Sequence, residues 1–193
     1  MRVLVVHAHP DPESFNTALF RRVVEGLAAA GHTVDACDLY DEGFNPVLSR
    51  DERRAYHSIP QNREPVEGHV RRLENAQALV LVTPVWNFGY PAILKGYFDR
   101  VFLPGVSFRM VDRQVRPNLQ HIEKLMVVTT YGATRWRAVL MGDAPRKVAT
   151  RVLRALMKPT GSMQYLAHYD MNRSTAATRA AFMARVEAAM AGL

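Results

Sequence analysis

The segment that decides the fold, residues 2–39, reads RVLVVHAHPDPESFNTALFRRVVEGLAAAGHTVDACDL. It begins with a continuous apolar run, Arg2–His7, which is typical of a strand covered on both faces. Residues Thr17–Ala30 then carry apolar side chains at helical spacing, and Gly31 is suited to end that helix. A second strand, Thr33–Leu39, alternates more and contains polar residues. Strand, helix and strand in this order predict parallel pairing with a right-handed crossover.

The same alternation continues to the end of the chain. It predicts three more strands, Ala78–Thr83, Leu125–Thr130 and Gln164–Tyr169. Apolar residues at helical spacing indicate four further helices. Pro65 opens the first, with Val66, Val70 and Leu73, and Pro91 opens the second, with Leu94, Tyr97, Phe98, Val101 and Phe102. The third carries Val148, Val152 and Leu156, and the fourth carries Phe182, Val186 and Met190 and is capped by Ser174 or Thr175. We therefore expect an α/β doubly wound three-layer sandwich whose five-stranded parallel sheet has the order 2-1-3-4-5.

Two long connections interrupt this regular alternation, Tyr40–Glu64 and Leu103–Lys124. Both are rich in proline, asparagine and charged residues. We expect them to form surface excursions that hold short helices or contact a partner.

Length and composition limit the possible classes of protein. The chain has 193 residues, of which 48% are hydrophobic and 22% charged, so we expect residues 1–193 to form a single domain with an ample core. Cys37 is the only cysteine, which excludes an intrachain disulfide and favours a reducing compartment, hence the cytoplasm. The run Val3–Val6 is too short for a signal peptide. No apolar run approaches the roughly 20 residues that cross a bilayer, so we expect no membrane insertion.

The net charge of +7 favours anionic partners. The basic residues are dispersed as pairs, such as Arg21 with Arg22 and Arg146 with Lys147, and no zinc-finger spacing or other nucleic-acid motif is present. We therefore expect a small molecule that carries phosphate, and no nucleic acid.

In a sheet of this kind, ligands bind outside the carboxyl ends of the strands, where the strand order reverses. This rule selects three loops: His7–Asn16, Pro84–Tyr90 and Tyr131–Asp143. The first loop leads directly into a helix, whose free amides and positive dipole end suit a phosphate. Neither GxGxxG nor GxxxxGK[ST] occurs in the chain, which argues against dinucleotide dehydrogenases and P-loop ATPases. Alternatively, Ser14 and Asn16 are ordinary helix caps.

The second loop groups Trp86 and Phe88 beside Asn87 and Gly89. Aromatic walls and accessible backbone amides suit a planar heterocyclic cofactor, and Gly89 allows close approach of the backbone. Alternatively, Trp86 and Phe88 fill the core or a dimer contact. The paired histidines His7 and His9 lack further ligands, so we expect no metal site there.

Four segments together resemble the flavodoxin-like NAD(P)H:quinone oxidoreductase family. They are His9–Asn16, Phe44–Arg50, Pro84–Phe102 and Thr129–Gly132, in the order found in that family. The resemblance implies a flavodoxin-like fold with a flavin, FAD in preference to FMN, bound at a homodimer interface. It also implies two-electron, ping-pong reduction of quinones or similar electrophiles, with NADH or NADPH as hydride donor.

The resemblance also implies site residues, which fall into three groups. The pyrophosphate contacts correspond to His9, Ser14, Phe15, Asn16 and Ala18. The isoalloxazine contacts correspond to Pro84, Val85, Trp86, Asn87 and Phe88 and to Thr129, Thr130, Tyr131 and Gly132. Asn45 corresponds to a position near the adenosine end, which is the reason for preferring FAD.

The chain departs from the family at its third loop. Animal members have two glycines after the Thr-Thr pair, then a tyrosine and a histidine that assist hydride transfer, whereas this chain has Tyr131-Gly132 and no such dyad. No catalytic side chain is therefore assigned, although Arg135 or Trp136 could close the site. The C-terminal extension of larger relatives also has no counterpart. Two alternatives stay open: an azo- or nitro-compound reductase with the same chemistry, and a non-enzymatic flavin carrier or transporter-regulating subunit.

Overall fold

The computed structural model describes residues 1–193. The strands are β1 (Arg2–His7), β2 (Thr33–Asp38), β3 (Ala78–Val85), β4 (Phe108–Val111), β5 (Gln114–Pro117), β6 (Lys124–Tyr131) and β7 (Ser162–His168). The α-helices are α1 (Phe15–Ala29), α2 (Arg50–Ala55), α3 (Glu67–Asn75), α4 (Ala92–Val101), α5 (Arg135–Leu140), α6 (Ala144–Lys147), α7 (Arg154–Leu156) and α8 (Ala176–Ala191). Short 3₁₀ helices lie at Gln61–Val66 and Met171–Arg173, and a π-helical segment, Val148–Leu153, joins α6 to α7.

Five parallel strands form one sheet in the order β2-β1-β3-β6-β7. This confirms the predicted order 2-1-3-4-5, because β4 and β5 pair only with each other. The expected edge strands, β2 and β7, are the observed ones. None of the helices has the length and apolar character needed to cross a membrane.

The core has two layers, one on each face of the sheet. In β1, Val3 and Val5 face α1 and α8, while Leu4 and Val6 face α3 and α4. Successive side chains of a strand point to opposite faces, so a strand covered on both sides must be apolar at every position. This is the physical reason that the continuous apolar runs mark the central strands.

The two long connections differ from one another. The first holds α2 and a 3₁₀ helix, as expected. The second, expected to hold short helices or contact a partner, instead forms the antiparallel hairpin β4–β5, with Asp112 and Arg113 in left-handed conformation at its turn. Aspartate is tolerated in such a turn, but without glycine or asparagine the sequence carries no clear hairpin signal. Thr175 caps α8, which settles the choice between Ser174 and Thr175.

A buried ion pair fastens the first connection to α4. The Arg100 guanidinium, 8% exposed, donates a hydrogen bond of 2.8 Å to the Glu52 carboxylate and another to the Asn45 carbonyl. Glu52 also accepts the backbone N–H of Ser49, the cap of α2. Burial raises the pKa of Glu52, but the hydrogen bonds from Ser49 and Arg100 outweigh it, so the net pKa is lowered.

We expect Glu52→Gln to destabilise the protein by about 1–3 kcal/mol at pH 7, because Arg100 loses its charged partner. A lowered native pKa contributes stability above the unfolded pKa of about 4.3 and loses it as pH falls through the native value. The stability gap between wild type and variant should therefore shrink below about pH 4. Urea unfolding from pH 3 to 7 measures it, and a gap that stays constant with pH would contradict this role.

Candidate functional site

The three loops selected from the sequence meet at the carboxyl edge of the sheet. The Asn16 side chain donates a buried hydrogen bond of 2.6 Å to Thr130 Oγ1, which joins the first loop to the end of β6. The His9 and Trp86 rings contact edge to face at 5.6 Å, which joins the first loop to the second. Pro84 pairs with Thr130 in the sheet. The loops are therefore held together by direct contacts, not only by topology.

The start of α1 presents free hydrogen-bond donors. Ser14 caps the helix by accepting the Thr17 N–H at 3.1 Å, and the backbone amides of Phe15 and Asn16 have no acceptor. The Asn16 side-chain oxygen is buried without a partner. Unpaired amides at the positive end of a fifteen-residue helix form an anion-binding position. Ser14 is thus a cap, as the alternative interpretation held, and the same cap leaves the next two amides available.

The second loop is a two-residue turn held by reciprocal hydrogen bonds between Trp86 and Gly89, of 3.0 and 2.9 Å. Asn87 and Phe88 occupy its corner with φ of 49° and 58°. Left-handed phenylalanine is costly, by about 1–3 kcal/mol, and such strain gathers at functional sites. Gly89, expected to allow close approach of the backbone, has no positive φ. The strain therefore falls on Asn87 and Phe88, whose amides have no acceptor.

The two aromatic side chains of this turn do not fill the core. Trp86 is 43% exposed and Phe88 36% exposed. Large aromatic surfaces left uncovered beside unpaired amides can pack against a flat ring or against another chain. The core-filling alternative for these two residues is therefore wrong.

The third loop completes a cleft of about 300 Å³. The amides of Gly132 and Ala133 have no acceptor, while the Ala133 carbonyl accepts the Asp170 N–H at 3.0 Å and is fixed by it. The cleft is lined by Val85, Asn87, Phe88, Tyr131, Gly132, Ala133, Arg137 and Asn172. Arg137, not Arg135, reaches it, and Trp136 is 62% exposed outside it. Arg137 is thus a site residue that the sequence reasoning did not select.

Residues Thr129 and Tyr131 support the cleft from below. Both side chains are buried, at 0% and 1% exposure. The Tyr131 hydroxyl donates to Asp143 at 2.7 Å and lies 2.6 Å from the Tyr165 hydroxyl, and burial raises the pKa of Tyr131. Arg146 joins the same network through Asp143 at 3.0 Å. Tyr131 can therefore offer only its backbone to a ligand, and its ring anchors the third loop.

We expect Tyr131→Phe to cost about 1–3 kcal/mol of stability, because Asp143 and Tyr165 lose a buried partner. Urea unfolding measures the loss. Tyr40→Phe is the matched control, since the half-buried Tyr40 hydroxyl makes no hydrogen bond in the protein. Equal losses in the two variants would show that the network does not hold the loop.

Two of the expected contacts do not join this arrangement. The Ala18 N–H donates to the Ser14 carbonyl within α1, so it is not free for a phosphate. Asn45 lies beside the last turn of α4, where its carbonyl accepts from Arg100, and its side chain accepts the Val47 N–H at 2.9 Å. The second loop precedes the first turn of α4, at the other end of that helix. Within one chain, Asn45 is therefore separated from the cleft.

The end of β7 adds a fourth wall that the sequence analysis missed. A cavity of about 430 Å³ lies between the end of β7 and α8, lined by His168, Tyr169, Arg173, Phe182 and Arg185 among others. The Phe15 ring contacts His168 at 5.8 Å and Phe182 at 6.4 Å, so the cavity adjoins the start of α1. His168 is 8% exposed, and its Nδ1 has no partner. The rule that selected the other loops applies to this strand end as well and would have found it.

Comparison with known proteins shows which proteins the chain is similar to. NAD(P)H dehydrogenase [quinone] 1 of Rattus norvegicus is 32% identical over 148 residues, which are 68% of this chain and 54% of that protein. The chain spans about half the length of the first curated relatives it matches. The structure of an NAD(P)H:quinone oxidoreductase from Methanothermobacter marburgensis is 28% identical, with TM-score 0.81 and 99% and 98% of the two chains covered.

A more distant structure shares the fold alone. It is an FMN-dependent NADH-azoreductase from Bacillus anthracis in complex with FMN, 17% identical, with TM-score 0.81 and 99% and 98% of the chains covered. The family model described as "Flavodoxin-like fold" matches residues 1–191. Because that match covers nearly the whole chain and the sheet has the expected strand order, the chain belongs to this flavodoxin-like family.

Proposed function

We propose that the chain is a flavin-dependent NAD(P)H oxidoreductase that reduces quinones or similar electrophiles in two-electron, ping-pong turnover. The observation that carries the proposal is the set of unpaired backbone amides on three adjoining loops. Those of the second and third loops border one open cleft, and the first loop, which leads into α1, is held against both by the His9–Trp86 and Asn16–Thr130 contacts. The named relatives support the reaction type.

The residues fit a flavin in both shape and chemistry. The amides of Phe15 and Asn16 would hold phosphate, with Ser14 and His9 beside them. The uncovered faces of Trp86 and Phe88 would pack against the ring system. The amides of Asn87, Phe88, Gly132 and Ala133 would donate to its heteroatoms. This set uses eight of the fifteen predicted contacts and adds Ala133. It does not use Ala18, Asn45, Pro84, Val85, Thr129, Thr130 or Tyr131.

We propose FAD as the cofactor, on a different ground from Asn45. The cavity between β7 and α8 continues from the phosphate position at Phe15. Its His168 and Phe182 rings and its two arginines, Arg173 and Arg185, suit an adenosine and its adjoining phosphate. FMN, which the azoreductase binds, would not use this cavity.

Bound flavin would supply two-electron transfer between a nicotinamide donor and the acceptor, while the protein positions both. The donor and the acceptor would pack in turn on the open side of the ring held in this cleft, which would give alternating use of one position. The free Gly132 and Ala133 amides are fixed by the Asp170 contact and would stabilise negative charge on a bound ring. Arg137 would attract the phosphates of NAD(P)H. No side-chain acid or base is needed in this account.

We propose a homodimer as the active assembly. An apolar groove of about 620 Å³ runs between α4 and the segment that follows α5, lined by residues that include Tyr90, Phe98, Phe102 and Val152. Val152 is 56% exposed and Leu140 74% exposed, and such a patch is typical of an interface. A second copy would cover this surface and bring further walls to the cleft. Analytical ultracentrifugation tests the oligomeric state directly.

We further propose that residues 1–193 act as one flavin-binding domain in the cytoplasm. Cys37 is buried and free, as suits a reducing compartment.

The purified protein tests the proposed function. We expect a yellow protein that releases FAD on heating, identified by its mass, and that is bleached by NADH or NADPH without air. Parallel double-reciprocal plots with a quinone would support ping-pong turnover. A protein that binds flavin but is not reduced by NAD(P)H would instead support the carrier alternative. Faster turnover of an azo or nitro compound than of quinones would favour the reductase alternative.

A further inference from the structure

A cysteine, a histidine and a glutamate converge on the α3 face of the sheet, outside the cleft described above. Cys37 Sγ on β2 lies 3.7 Å from Glu42 Oε2 and 3.8 Å from His69 Nδ1 of α3. The same two atoms of His69 and Glu42 are 3.9 Å apart. One atom from each residue thus lies at a corner of a nearly equilateral triangle. None of these residues lines the candidate flavin site.

The size of this triangle is close to that required by a tetrahedral zinc ion. Zinc bonds of about 2.3 Å to sulfur and about 2.0–2.1 Å to nitrogen or oxygen place neighbouring ligand atoms about 3.3–3.6 Å apart. The observed separations exceed these values by a few tenths of an ångström. Small movements of the Glu42 and His69 side chains, which are 33% and 19% exposed, would close the difference. Their exposure also gives an ion a path to the buried sulfur.

The surrounding charges suit a divalent cation. Arg72 donates to both Glu42 oxygens at 2.7 and 2.8 Å and to Asp35 at 2.6 Å. With the thiol protonated, these three charged groups sum to minus one. A divalent ion that displaces the thiol proton to solvent brings the set to zero, which is favourable for a half-buried site. Arg72 would then orient the glutamate ligand through these hydrogen bonds.

A fourth polar group beside the triangle lacks a partner. The Tyr97 hydroxyl is fully buried and makes no hydrogen bond. The Tyr97 and His69 rings meet edge to face at 5.7 Å. An orphaned hydroxyl here would gain a partner if a ligated sulfur or a metal-bound water filled the space.

We propose that Cys37, Glu42 and His69 form a binding site for a zinc-like divalent cation that supports the fold independently of the flavin. The mixture of sulfur, imidazole and carboxylate ligands is one that zinc and cobalt accept. The ion would tie the edge strand β2 and the turn after it to α3. The bound ion would thus stabilise the β2 edge of the sheet without contacting the cleft.

Titration of the reduced full-length protein with Zn²⁺ and with Co²⁺ tests the site, without reference to flavin content or activity. We expect one equivalent to bind, a rise in the thermal midpoint with Zn²⁺, and a sulfur-to-cobalt charge-transfer band with Co²⁺. Cys37→Ser should abolish that band. His69→Gln, which alters a partly exposed side chain, should weaken Zn²⁺ binding by at least about 10-fold.

Two histidine variants outside the triangle serve as controls. His57 is exposed, and His32 Nδ1 lies 3.1 Å from the Met1 amino group, a second position where a cation could bind. His57→Gln and His32→Gln should leave Zn²⁺ binding unchanged. Absence of Zn²⁺ binding in the wild type, a cobalt complex without a sulfur band, or binding that only His32→Gln removes would each overturn the proposal.

Discussion

Replacing Ser14 with aspartate is expected to weaken flavin binding about 100-fold or more while leaving the fold intact. Two like charges 4 Å apart repel by about 1 kcal/mol in bulk water and by about 4 kcal/mol near a protein surface. Ser14 caps α1 by accepting the Thr17 N–H at 3.1 Å. Aspartate is an equally good cap, so the helix keeps its start. Its carboxylate would stand beside the free amides of Phe15 and Asn16, where the phosphate is proposed to bind. Fluorescence titration of the apoprotein with FAD measures the change.

Ser14→Asn is the matched control for this charge effect. Asparagine caps a helix as well as aspartate does but carries no charge. We expect its FAD affinity to stay within a few-fold of wild type. If Ser14→Asp binds FAD as tightly as Ser14→Asn, the phosphate does not bind at the start of α1.

Replacing Gly96 with alanine should destabilise the protein by about 3 kcal/mol or more, at the upper end of overpacking effects. A methyl group at this position of α4 would lie 2.2 Å from the Pro46 carbonyl oxygen and 2.4 Å from Pro46 Cβ. Neither atom belongs to a flexible side chain, so α4 or the segment at Pro46 must move. Urea unfolding measures the loss. A shifted α4 would also displace the aromatic turn that precedes it, and FAD affinity should fall in parallel.

Gly68→Ala is the matched control for Gly96→Ala, and we expect the opposite effect on stability. Gly68 is exposed in the first turn of α3, and an added methyl group there meets no atom within 4 Å. Alanine favours a helix over glycine by about 0.5–1 kcal/mol, so this variant should be slightly more stable than wild type. If both glycine variants change stability equally, close packing against Pro46 is not the reason for Gly96.

The central strands and the three loops could be predicted from the sequence because they depend on local pattern. A strand buried on both faces is apolar throughout, and β1, β3 and β6 show this directly. Once these strands are recognised, topology places their carboxyl ends together. This rule selects the loops that hold Asn16 and the 86–88 turn, whereas Phe15 is assigned only by the family resemblance.

The features that escaped prediction depend on long-range contacts or on backbone conformation. Arg137 and Asn172 reach the cleft only because the third loop turns back toward the end of β7. The left-handed conformation of Phe88 cannot be inferred from a residue type that disfavours it. Ala18 matches the family pattern in sequence, but its N–H donates to the Ser14 carbonyl within α1. Cys37 approaches His69, 32 residues away in the chain, and local pattern does not predict such a contact.

The most direct test compares the affinities of the apoprotein for FAD, FMN and riboflavin under one set of conditions. We predict that FAD binds most tightly, that FMN follows, and that riboflavin, which lacks phosphate, binds at least about 100-fold more weakly than FMN. Equal binding of riboflavin and FMN, or no binding of any flavin, would contradict a cleft built from three loop ends and the start of α1.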